Sequence, residues 1–71
     1  MSLQEFIQRF AEIMGIEDAN TLTPETDFHD LDEWSSLMAV KLLVLFDEEM
    51  DKDVSVGEIN ECFTIEELYN L

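Results

Sequence analysis

Apolar side chains recur at Leu3, Phe6, Ile7, Phe10 and Met14, the i, i+3, i+4, i+7, i+11 spacing that draws one stripe along a helix. Ser2 followed by Glu5 has the form of a capping box, in which each residue satisfies a backbone N–H of the other. Gly15 can take the left-handed conformation that closes a helix. A first helix from Leu3 to Met14 is expected. Residues 15–34 then lose the periodicity and hold Asn20, Pro24 and several Thr and Asp residues, which predicts a long loop with a short turn after Thr23. A loop of this length in a compact domain is either functional or a misread element. Leu22, Phe28, Leu31 and Trp34 are spread through it and read as pegs that pin it across the helices.

A second helix should run from Ser35 or Ser36 to Met50, with either serine able to cap it. Every residue from Leu37 to Phe46 is apolar except Lys41. On a helical wheel Ala39, Leu42, Leu43, Phe46 and Met50 share an arc that should face the core. Leu37, Lys41, Val44 and Glu48 lie opposite, flanked by Val40 and Asp47. The outer face is therefore apolar with charged edges, a surface that invites a partner.

Asp51-Lys52-Asp53 is polar and turn-like. Ser55 to Glu58 is a second capping box, opening a short helix that buries Val56, Ile59 and Cys62. Thr64 to Glu67 is a third, opening a last helix with Ile65, Leu68 and Tyr69 inward. No alternating strand pattern occurs. The expected fold is all-α: a small four-helix bundle, three main helices and one short one, with a long loop between helices one and two, forming a single domain over residues 1–71.

Composition narrows the partners. Eighteen acidic residues face only Arg9, Lys41 and Lys52, a formal charge of −15 that repels nucleic acid and anionic membranes and favours basic protein surfaces or cations. Acidity of this order also occurs in disordered chains, but those lack the 46% hydrophobic content found here, so a folded acidic domain is expected. Cys62 is the only cysteine, which excludes an internal disulfide. The first residues have no basic region followed by an apolar run, and the run Leu42–Phe46 is too short to span a bilayer. A soluble, cytoplasmic, monomeric protein follows as the expectation.

The enzyme readings fail on context. Ser36, His29 and Asp30 or Asp32 contain the letters of a nucleophilic triad, but no strand–turn–helix elbow flanked by glycine surrounds the serine. One Cys and one His cannot build a structural zinc site. The run Asp47–Asp53 lacks the glycine and the closing glutamate of a calcium loop. No catalytic and no metal-ligating residue is assigned, and the chain is not read as an enzyme.

What remains is Asp32-Glu33-Trp34-Ser35-Ser36-Leu37 at the head of the most apolar helix. This segment resembles the acyl carrier and peptidyl carrier protein family, whose members show Asp-Ser-Leu or Asp-Ser-Met at the start of the second helix. The resemblance extends to the amphipathic first helix, the loop Leu22–Phe28 and the closing Thr64-Ile65-Glu66-Glu67-Leu68, so it spans essentially the whole chain. It implies that Ser36 bears a covalent 4'-phosphopantetheine arm drawn from coenzyme A and attached by a phosphopantetheinyl transferase. The arm's thiol would hold acyl or aminoacyl groups as thioesters for loading and accepting enzymes with basic docking patches, in fatty acid or secondary metabolite biosynthesis. Ser35, Leu37, Val40, Lys41, Val44, Asp47 and Glu48 would form the partner face. Phe28, Leu42, Phe46, Val54, Ile59, Cys62 and Leu68 would line any cargo cavity, and each is equally explained as core. Two departures stand out: Ser35 replaces the usual Asp, and Met38 and Lys41 occupy positions where relatives often carry acids. The alternative is an acidic helical adapter that binds a basic partner and carries no prosthetic group.

Overall fold

The computed structural model describes residues 1–71. Four helices follow one another as α1 (Leu3–Met14), α2 (Ser36–Glu49), α3 (Val56–Glu61) and α4 (Ile65–Tyr69), and there is no strand. The all-α architecture is the expected one. Its proportions differ, with two long helices and two short ones. α3 ends where Cys62 turns extended (φ −80°, ψ 151°), and α4 is five residues long.

The local signals at the helix ends hold. Ser2 and Glu5, Ser55 and Glu58, and Thr64 and Glu67 all form reciprocal capping boxes. Gly15 closes α1 with φ 77° and donates its N–H to the carbonyls of Ala11 and Glu12. One residue bends the backbone unexpectedly: Asp51, just after α2, has φ 53°, a left-handed conformation that Asp tolerates better than most side chains.

Fifteen residues are buried and every one is apolar. Phe6, Phe10, Phe28 and Phe46 are fully enclosed, with ring centroids 5.8 Å apart for Phe6–Phe46 and 6.3 Å for Phe10–Phe28. α1 thus packs against both α2 and the long loop. A surface ion pair holds the same helices: the Arg9 guanidinium donates to both carboxylate oxygens of Glu49 and, at 2.8 Å, to Glu12.

α2 is rotated relative to the expected arc. Leu45 is buried beside Ala39, Leu42 and Phe46, whereas Leu43 and Met50 are only half-buried. The buried sector shifts by roughly 50° at 100° per residue. The displacement turns Leu45 toward α1, where it shares a cleft with Ile13.

The loop between α1 and α2 is a built element. Beyond the expected turn at Thr23–Thr26, it contains two 3₁₀ turns, Ala19–Thr21 and Phe28–Asp30, in which the Asn20 and His29 N–H groups donate to the Asp18 and Asp27 carboxylates at 3.0 Å. Leu22 and Phe28 are buried and Leu31 and Trp34 half-buried, as pegs should be. The loop also pairs with the α3–α4 junction. Phe28 N–H donates to the Phe63 carbonyl, Ile65 N–H to Thr26 and Glu66 N–H to Pro24, at 3.0–3.2 Å.

Candidate functional site: the head of the second helix

The packed loop determines where α2 begins. The Trp34 ring meets Phe28 edge-on at 4.6 Å, and the Trp34 backbone N–H donates to the Leu31 carbonyl at 3.0 Å. The chain then emerges into solvent, so Ser35 and Ser36 are both exposed. Ser35 is the N-cap residue (φ −154°, ψ 170°) and Ser36 the first residue of the helix. Of the two serines expected to cap, Ser35 occupies the capping position, yet its hydroxyl makes no capping hydrogen bond.

This end differs chemically from the other three. Glu5 and Glu67 fill the first turns of α1 and α4, and hydrogen bonds from the Ser2 and Thr64 backbones, their largest influence, hold both carboxyls below the usual glutamate range. The first turn of α2 has no acidic residue. The N–H groups of Ser36 and Leu37 find no backbone acceptor, and Met38 N–H reaches only the Ser35 carbonyl at 3.0 Å. Unsatisfied amides at a helix start attract an anion. An exposed hydroxyl beside open amides, with no carboxylate in the turn, suits a serine that carries a phosphodiester.

From Ser36 the outer face of α2 is apolar. Leu37, Val40 and Val44 are 59%, 51% and 53% exposed, and Lys41, Asp47 and Glu48 are exposed among and below them. All seven residues expected on the partner face are therefore solvent-accessible and lie on α2 or its cap. The candidate cargo residues are closed core: Phe28, Leu42, Phe46, Ile59 and Leu68 have no exposed surface, and Cys62 is buried. Val54 is half-buried and is the only one of the seven that lines a surface cleft.

His29 makes no hydrogen bond to Ser36. It stacks on Phe28 at 4.2 Å, with its Nδ1 3.7 Å from Asp27. Phe63, which the sequence did not single out, is the most exposed large apolar side chain at 63%, with its ring 6.4 Å from His29. It escaped notice because its position, between two capped helices, belongs to no periodic face.

A family model described as "Phosphopantetheine attachment site" matches residues 4–71. The chain belongs to this family. Its cofactor is accordingly 4'-phosphopantetheine, held covalently, and the exposed head of α2 fits it. No curated protein and no solved structure matches this carrier chain. No helix is long and apolar enough to cross a membrane.

Proposed function

We propose that Ser36 is the attachment residue and that the chain is a non-catalytic carrier presenting acyl or aminoacyl groups to biosynthetic enzymes. The observation that carries this reading is the coincidence of the family match with an exposed serine at the head of α2, in an uncapped first turn free of acid. The arm supplies a thiol on a long flexible tether, which holds the cargo as a thioester at high effective concentration near each enzyme. The chain's own residues do the rest. The Ser36 Oγ forms the ester bond to phosphate, and the free amides of Ser36 and Leu37 favour the charge that arrives there. Packing of Trp34 on Phe28 holds the loop that leads into the attachment point against the core.

Leu37, Val40 and Val44 form the apolar centre of a docking face that Asp47 and Glu48 orient toward basic partner patches. The loading transferase and the enzymes that use the cargo share this face. The chain acts as a cytoplasmic monomer.

The carrier role is tested on protein isolated from its own cell. Intact mass should show one phosphopantetheine group plus further mass that neutral hydroxylamine, which cleaves thioesters, removes. A chain that never acquires the arm would support the acidic adapter instead, and extra mass resistant to hydroxylamine would contradict thioester carriage.

A further inference from the structure

Three cations serve this chain, and two are already engaged. Arg9 is bound to Glu49 and Glu12. Lys52 donates from Nζ to the Tyr69 carbonyl at 3.0 Å and lies 5.7 Å above the Tyr69 ring. Lys41 makes no ion pair in a molecule with six acids for every base.

The reason is local. The positions a helical side chain can reach, three and four residues away, are Leu37, Met38, Val44 and Leu45, all apolar. Glu48, the nearest acid on the same face, is seven residues on, a rise of about 10.5 Å. In the cleft that Lys41 shares with α1, Glu12 and Glu49 are bound to Arg9, and Glu48, which lines the same cleft, makes no ion pair with Lys41. Lys41 is therefore exposed and unpaired beside the exposed side chains of Leu37, Val40 and Val44, one to two turns below Ser36.

A protein whose apolar residues cover this strip as far as its Lys41 edge dehydrates that ammonium. A charge removed from water without a counter-charge is costly, and no carboxylate of the chain is paired with Lys41 to supply one. The enzyme with the least freedom to avoid Lys41 is the one that loads Ser36. It must bring its catalytic centre to the serine hydroxyl itself, before any arm exists to span a gap.

We infer that the loading phosphopantetheinyl transferase presents a carboxylate to Lys41, set within an otherwise basic and apolar docking surface. This rests on the α2 docking face proposed above. It predicts an effect opposite in sign to bulk electrostatics. If the transferase only senses the negative field, Lys41→Glu makes the chain more negative and speeds encounter. If a carboxylate faces Lys41, the same change sets two like charges together and slows the reaction.

The experiment measures kcat/KM for modification by the purified transferase of the same cell with coenzyme A. Lys41→Met should lower it about tenfold, Lys41→Glu at least about a hundredfold, and Lys41→Arg should recover most of the loss to Met, as expected for a desolvated charge pair. Val44→Asp, measured alongside, reads the docking face independently. Val44→Asp slowed with Lys41→Glu at or above the parent rate would overturn the Lys41 contact and leave the docking face standing. Both variants reacting like the parent would remove the docking face, and the inference with it.

Discussion

Cys62 closes α3 with its thiol directed at the Glu58 carbonyl oxygen, 3.5 Å away. Burial, followed by the carboxylates of Glu67, Glu61 and Glu58, pushes this thiol up from its ordinary value. The thiolate is the reactive form, so the side chain should be inert in the native fold. At pH 8 the unmodified chain should react with an aromatic disulfide reagent at least about a hundredfold more slowly than the same chain in denaturant. The arm's sulfur is then the one reactive thiol of the loaded protein. A native rate equal to the denatured rate would mean that Cys62 is not enclosed. The adjacent Phe63 illustrates the limit of single residues as guides. Its exposure follows from the backbone bond between its carbonyl and Phe28 N–H, a pairing across 35 positions that no local pattern announces.

The capping boxes act at the level of the element, and they were the most legible feature of the chain because both halves of each lie three residues apart. Glu67 accepts from the N–H groups of Thr64 and Phe63, and these bonds hold its carboxyl below the usual 4.5. A carboxyl depressed in the folded state stabilises above its unfolded pKa and loses that contribution as pH falls through its folded pKa. Glu67→Ala should therefore melt below the parent at pH 7, and the two melting temperatures should converge as pH falls below about 4.5 and through the lowered folded-state pKa. A gap unchanged at the acid end would assign the effect to packing instead of charge. α2 was harder to read. It is apolar almost all round, so periodicity located an inner and an outer face but misplaced the boundary between them, and only the packing of α1 draws Leu45 inward. The outer strip kept its exposure through that error: Leu37, Val40 and Val44 all lie in solvent. The loop went the other way. Its apolar pegs were legible, but its two 3₁₀ turns and its pairing to Phe63–Glu66 depend on contacts distant in sequence. Phe28 is the strongest peg, fully enclosed between Phe10 and Trp34. Phe28→Ala should cost about 3–5 kcal/mol, a large share of the stability of so small a domain, measured by urea unfolding. A cost under about 1 kcal/mol would show that the loop is not anchored there.

Across the whole molecule the net charge of −15, carried on a body 28 × 23 × 19 Å, outweighs every individual ion pair. No charged side chain is buried, so the charges are exposed and screened over about 8 Å at physiological salt. The melting temperature should rise as sodium chloride goes from about 10 to about 150 mM, since self-repulsion weakens while the apolar core is unaffected. A melting temperature indifferent to salt would show the repulsion to be negligible. Within this acidic surface the first turn of α2 is the one helix start without a carboxylate, and the carrier role depends on what Ser36 does there. The direct measurement is intact mass after incubation with a phosphopantetheinyl transferase and coenzyme A. The parent chain and Ser35→Ala should each gain one phosphopantetheine group, and Ser36→Ala should gain none. Modification of Ser36→Ala, with loss of modification in Ser35→Ala, would contradict the assignment and move the attachment to the neighbouring hydroxyl.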